Sequence, residues 1–371
     1  MKIYLSRPDI TEKDIQAVIE VLRGPKLALG PKMVEFEKKI ADYVGTKHGI
    51  SANSGTSALF LCVKALGIKK GDEVITTPFT FIASTNCILM VDAKPVFVDI
   101  DPDNLNIDPK KIEEKITKKT KAILPVAVFG NPAGMDSVCK IAKKHNLPVI
   151  EDSCEALGSE LNGKKAGAFG TVGTFAFYPN KQITTGEGGM IVTDNDEIAE
   201  MCVSLRNQGR AKGNGWLAHE RLGYNFRMSD INAALGIAQL ERIDEFIQKR
   251  QRVAEWYQEI LADDERIIVP KAPEGCKVSW FVFVVRLKEP YISKRNAILN
   301  AMTAEEIQVG NYFPSVTLQP FMVEKFGYKD GDFPIADKVC KSTIALPFYN
   351  NLKKDEVSLV CKTLKKCLDN A

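Results

Sequence analysis

The sequence predicts an α/β protein. A large domain with a mostly parallel sheet covered by helices is followed by a smaller C-terminal α+β domain. Three observations carry this prediction. Short, nearly continuous apolar runs alternate with helical stretches over the first two-thirds of the chain. A long helical pattern begins near Ser229. A new strand-like run, Ser279–Leu287, then opens the last part of the chain.

The elements follow in order. Glu73–Thr77 reads as a strand entering Pro78. Pro95–Ile100 alternates as a strand and meets the turn signal Asp101-Pro102-Asp103-Asn104. Ala122–Val128 is an apolar run closed by Phe129-Gly130-Asn131-Pro132. Met135–His145 reads as a helix, and Pro148-Val149-Ile150 as a buried strand ending on Glu151-Asp152. Val172–Phe177 and Gly189–Thr193 are further strands. Ile231, Leu235, Ala238, Ile243 and Ile247 then recur at helical spacing, continued by Val253, Trp256, Tyr257, Ile260 and Leu261. A chain of 371 residues can bury a core large enough for two or three domains. We place the boundary in the long helical stretch, with 1–250 as the large domain and 251–371 as the small one.

Composition excludes several classes. Lys and Arg total 50 against 47 Asp and Glu, a net charge of +3 with no basic stripe, which argues against nucleic-acid binding. No run approaches the ~18 apolar residues that a membrane span needs. The start, Met1–Asp9, has no apolar core of a leader, so a cytosolic protein is expected. The nine cysteines are scattered without a CxxC pair and read as buried thiols in a reducing compartment. His48, His145 and His219 are the only histidines, too few and too far apart for a zinc site or a Ser-His-Asp triad.

Three segments carry chemistry. Ala52-Asn53-Ser54-Gly55-Thr56-Ser57-Ala58 precedes the apolar run Leu59–Val63. The free amides of a helix N-terminus bind anions, so a phosphate could rest on Gly55 and Thr56. A capped helix after a tight turn would account for this segment alone. Val149–Glu155 puts Asp152 at the C-terminal end of a buried strand, where open α/β sheets bind ligands. Glu151, Asp152 and Glu155 after apolar residues are costly unless something cationic meets them, or unless they cap a helix or close a strand-end ion pair. Phe175–Gly189 places Lys181 after an aromatic strand and before a glycine-rich turn. The glycine cluster Gly186–Gly189 lacks the spacing of a dinucleotide fingerprint. Taken together the segments suit pyridoxal 5′-phosphate (PLP). That cofactor needs a lysine for its aldehyde, an anion site for its phosphate, and a carboxylate for its ring nitrogen.

The chain resembles the DegT/DnrJ/EryC1/StrS family of sugar aminotransferases, which have fold type I (aspartate aminotransferase-like). The likeness rests on Asn53-Ser54-Gly55-Thr56, on Glu151-Asp152-Ser153-Cys154, on Phe177–Lys181 with Thr185–Gly189, and on Leu222–Ser229. The resemblance implies that Lys181 bonds the cofactor's aldehyde, Asp152 pairs with the pyridine nitrogen, and Gly55 and Thr56 hold the phosphate. Phe81 would stack on the ring and Glu155 would contact its phenolic oxygen. Asn225 would reach the cofactor phosphate of the other subunit, making a homodimer with shared sites. Left to themselves, Phe81 would read as core and Asn225 as a turn residue.

The reaction implied moves an amino group from an amino acid, glutamate in most of the family, to the ketone of a nucleotide-linked keto-hexose. Lys181 would shuttle the proton. Substrate choice should depend on the loops Arg206–Trp216 and Tyr312–Pro320. Three positions depart from the family's pattern. Ala176 replaces a usual serine, Glu155 a frequent Gln or His, and Thr317 a common histidine. Two rivals are a PLP-dependent sugar-nucleotide dehydratase, disfavoured by the retained Lys181, and a non-catalytic PLP-fold regulatory protein, disfavoured by Lys181 and Asp152 together.

Overall fold

The computed structural model describes residues 2–211 and 217–371. The large sheet is built from β1 (His48–Ala52), β2 (Glu73–Thr76), β3 (Lys94–Phe97), β4 (Thr120–Ile123), β5 (Ile150–Asp152), β6 (Val172–Ala176) and β7 (Gly189–Thr193). A three-stranded ladder, β3-β2-β4, and a four-stranded one, β1-β7-β6-β5, are joined by parallel bridges from Ile123 to Val149 and from Val126 to Asp152. The β2–β3, β2–β4 and β5–β6 pairs are parallel. Only β7 runs against its neighbours, pairing antiparallel with both β1 and β6. The expected mostly parallel sheet is therefore present.

This topology positions the site. β1, β2, β5 and β6 all point the same way, so their C-terminal ends share one sheet edge. Ligands of open α/β sheets bind at that edge. β1 leads into the helix Gly55–Ala65, whose N-cap Ser54 accepts from the Ser57 amide. β2 leads through Phe81 into the helix Ala83–Leu89. β5 ends on Asp152, and β6 leads to Lys181. Leu59, Leu61, Val74, Phe79, Ile150, Val172 and Ile191 form the core behind this edge. Helices cover the sheet because their apolar faces have nowhere else to go.

A second core lies around the antiparallel sheet β8 (Ile267–Ile268), β9 (Phe283–Leu287) and β10 (Thr343–Leu346). Val253, Tyr257 and Leu261 of the long helix Ile243–Leu261 pack here with Phe283, Val285 and Ile344. Val360 and Leu364 of the helix Lys354–Asp369 close the cluster. Ile3 joins it, pairing with Ile307.

Two apolar runs are shorter as strands than their patterns suggest. Ala122–Val128 forms a strand only to Ile123, and Phe129 lies in the left-handed region at φ 57°. Ser279–Leu287 becomes regular only at Phe283, because Trp280 sits at φ 51° and breaks the extended run. Apolar residues at these points line a site rather than continue a ladder. No described helix is long and apolar enough to cross a membrane.

Candidate active site

One cavity of about 500 Å³ opens on the sheet edge. Gly55, Thr56, Phe81, Asp152, Glu155 and Lys181 all line it. These residues come from four separate strand ends, brought together by the parallel topology. Asn225 is not among the lining residues. It is exposed, and its backbone pairs with Asn207.

The three carboxylates of Glu151–Glu155 are satisfied in three different ways. Glu151 is fully buried on the far side of β5, where it accepts from the amides of Gly167, Phe169 and Gly170 and from Ser153 Oγ. Among the described residues no cation pairs with it; three amides and a hydroxyl satisfy it instead. Burial pushes its carboxyl above the ordinary range. Asp152 is 4% exposed and faces the cavity. Its Oδ2 accepts from Ser84 Oγ at 2.7 Å and its Oδ1 from the Cys154 amide at 3.2 Å. Glu155 accepts from the Phe129 amide through Oε2 at 2.9 Å and faces Lys181 Nζ through Oε1 at 3.4 Å. It thus holds a backbone amide and the lysine at once. Burial pushes the Glu155 carboxyl up, while the Lys181 charge and the Phe129 amide pull it down.

Lys181 is held between a carboxylate and an aromatic face. Its Nζ lies 3.8 Å from the centroid of the Phe281 ring. Such a ring attracts an ammonium through its quadrupole. The loop carrying Lys181 is tied down by Gln182, whose Nε2 donates to the Glu155 carbonyl at 2.6 Å and to Ser279 Oγ at 2.8 Å.

One end of the cavity is the N-terminus of the helix Gly55–Ala65. The first helical amides have no intrahelical acceptor and face any anion placed there. Gly55 is required by contact: a Cβ would fall 2.6 Å from Ala176 Cβ and 3.3 Å from Cys154 Sγ. Phe81 is 59% exposed, as an aromatic must be if a ring is to lie against it. An amine, a buried carboxylate bonded by a hydroxyl, an open helix terminus and an uncovered aromatic share one cavity. That donor set fits PLP.

Residues 8–365 match the DegT/DnrJ/EryC1/StrS aminotransferase family. The chain belongs to that family. It is 38% identical to a GDP-perosamine synthase of Caulobacter vibrioides, over 99% of this chain and 98% of the relative. It superposes on Helicobacter pylori PseC, an aminotransferase involved in the biosynthesis of pseudoaminic acid, with a TM-score of 0.95 at 30% identity over 100% of both chains. The PLP form of Spr1654 from Streptococcus pneumoniae gives a TM-score of 0.94 at 28% identity, over 100% of this chain and 99% of that one. As a member of the DegT/DnrJ/EryC1/StrS family, the chain is a PLP-dependent aminotransferase of fold type I.

Several site residues carry no local signal in the sequence. Ser84, Phe281, Tyr312 and Phe313 line the cavity from distant segments. Thr317 is fully buried and shares a hydrogen bond with Ser315, so it faces the interior and not the cavity. Arg206 is also buried, donating to Glu37 and to the Ser51 carbonyl, which takes it out of any substrate loop. Residues 212–216 of the expected Arg206–Trp216 loop lie outside the described residues. His48 and His145 sit on the surface carboxylates Asp196 and Glu113, and His219 lies beside the Gln208 carbonyl.

Proposed function

We propose that the chain transfers an amino group from an amino acid, glutamate first among the candidates, to the ketone of a nucleotide-linked keto-hexose. The observation that carries this reading is the placement of Lys181 Nζ 3.4 Å from Glu155 in the cavity that Asp152 and Gly55 also line. The relatives support the substrate class: one is a GDP-perosamine synthase, another a UDP-N-acetyl-3-dehydro-alpha-D-glucosamine 3-aminotransferase of Acidithiobacillus ferrooxidans at 33% identity.

PLP, when bound, supplies an electrophilic carbonyl and a ring that takes up the electron pair of a breaking C–H bond. The chain's own residues do the rest. Lys181 Nζ is the amine that would hold the aldehyde and would move the proton at the substrate carbon. Asp152 would keep a proton on the ring nitrogen by charge. Ser84 and the Cys154 amide fix the orientation of that carboxylate. Gly55 and Thr56 would hold the phosphate, Phe81 would cover the ring, and Glu155 would contact its phenolic oxygen. The buried walls formed by Phe281 and Phe313 exclude water from the amine.

The exposed Asn225 supports a homodimer in which it reaches the cofactor phosphate of the partner subunit. We place the enzyme in the cytoplasm, and we divide it into 1–250 and 251–371 with Ile3 packed on the second part. Incubating the enzyme with glutamate and a panel of keto-sugar nucleotides tests the reaction. An added amino group appears as a mass shift on one sugar. A panel with no aminated product, from enzyme that accepts glutamate's amino group, would refute the substrate class.

A further inference from the structure

Arg250 lies on the long helix Ile243–Leu261 and is 3% exposed. No carboxylate pairs with it among the described residues. Its guanidinium is spent on three backbone carbonyls. Nη2 donates to the Lys181 carbonyl at 3.0 Å. Nη1 donates to the carbonyls of Trp280 and Phe281 at 3.0 and 3.1 Å. Nε has no hydrogen-bond partner. Burial pushes the guanidinium down to about 10, which leaves it charged at neutral pH. A buried cation without a carboxylate in direct contact is costly, so three carbonyls are an expensive and specific use of it.

The three carbonyls belong to two segments far apart in sequence. One is the loop that carries Lys181. The other is the strap 279–282 that enters β9. The strap turns at Trp280, whose left-handed φ of 51° a bulky side chain avoids unless its surroundings impose it. Trp280 Nε1 donates to Gln251 Oε1 at 2.7 Å, so consecutive residues of one helix grip this turn. The result of the turn is the Phe281 ring 3.8 Å from Lys181 Nζ. A second seam binds the same strap to Glu155, through Gln182 and Ser279. Both neighbours of the amine, ring and carboxylate, are therefore referenced to one strap.

We propose that Arg250 is a positioning residue for the Lys181 amine, clamping the lysine loop and the Phe281 strap onto one guanidinium. The inference rests on Lys181 being the lysine that bonds PLP. It does not touch the choice of substrate. Its action passes through Phe281, so the two residues are energetically coupled.

The test uses full-length protein stripped of cofactor and follows the visible absorption band that grows when PLP is added. Arg250→Lys keeps the charge but replaces the planar fork with a single compact head. It should slow capture about tenfold, the effect of losing one charge-assisted contact. Phe281→Leu should slow it by a similar factor. Because both act on one contact, the double variant should also be slowed about tenfold and not about a hundredfold. Melting curves of the apo proteins correct for the folded fraction. Capture at the wild-type rate in Arg250→Lys, or slowdowns that multiply in the double variant, would overturn the proposal. Should Arg250→Lys fail to fold, Trp280→Gly decides the matter: it leaves Arg250 in place and loosens the strap at its left-handed residue. Slowed capture supports the clamp, and unchanged capture refutes it. Lys181→Ala serves as the control. If that variant still forms the band, the functional reading itself has failed; if only the Arg250 and Trp280 variants behave as wild type, this inference alone has failed.

Discussion

Ser84 donates its hydroxyl proton to Asp152 Oδ2 at 2.7 Å, and both side chains are buried. The bond ties the carboxylate to the first turn of the helix Ala83–Leu89, and Thr80 Oγ1 lies 2.9 Å from the same hydroxyl. The donor fixes the orientation of the carboxylate proposed to pair with the ring nitrogen.

Removing the charge should be costlier than removing the donor. Asp152→Asn should retain PLP yet lower kcat by about a hundredfold or more, since an amide cannot hold the pyridinium proton electrostatically. Ser84→Ala should lower kcat about tenfold, the worth of one hydrogen bond to a charged group. Ser84→Thr should restore most of that loss. Steady-state kinetics on the three variants check the order, and near-normal turnover in Asp152→Asn contradicts its assigned role.

Gly55 and Ala176 are matched in size. The Cβ of Gly55→Ala would lie 2.6 Å from Ala176 Cβ, closer than the packing allows. Overpacking of this kind costs about 1–3 kcal/mol, measurable by urea unfolding of the apo protein. The variant should also bind PLP more weakly, because the helix terminus that receives the phosphate must shift. Adding Ala176→Gly should recover part of the stability. A Gly55→Ala protein with unaltered unfolding and binding would show that the helix terminus is not so constrained.

Glu155 should make the apo protein's stability depend on pH in a defined direction. Its carboxyl is raised from the ordinary value of 4.5, with burial as the largest cause. The folded state therefore favours the protonated form. The stability this gives is fully present below pH 4.5 and is lost as pH rises through the raised value. Glu155→Gln, which keeps an oxygen for the Phe129 amide, should match wild type in acid and become the more stable of the two as pH rises. Melting curves across that range check the sign. A gap that is constant with pH, or that closes as pH rises, would contradict it.

Asn225 and Lys181 should complement each other across a dimer. Lys181→Ala and Asn225→Ala chains, each impaired alone, should recover roughly a quarter of the wild-type activity when mixed and allowed to exchange, since half the dimers then hold one intact site. No recovery, despite proven exchange, would contradict a shared site.

The sequence exposes what is local and hides what is not. Asp152 and Lys181 are legible because each follows an apolar strand and sits at its end, a placement that strand pattern and turn residues reveal together. Ser84 is 68 residues from Asp152 in sequence, and Arg250 is 69 from the Lys181 carbonyl it binds. Nothing in a serine at a helix start or an arginine in an amphipathic helix announces such partners. Phe281 misleads for a related reason. It belongs to an apolar run that reads as one strand, and only the left-handed turn at Trp280 directs the ring to the amine. Glu151 reads as a third acid in need of a cation; three loop amides supply its partners instead. Thr317 falls in a loop expected to set substrate choice, yet its side chain turns inward to Ser315.

The central claim is that Lys181 is the residue that bonds the cofactor. It is tested most directly by adding PLP to the purified apo protein and recording its visible absorption, then reducing the sample with borohydride and mapping the modified peptide. The account predicts a visible band, absent in Lys181→Ala, and a single phosphopyridoxyl group on the peptide that contains Tyr178-Pro179-Asn180-Lys181. A protein that stays colourless with PLP, or a band and label that persist in Lys181→Ala, would contradict it.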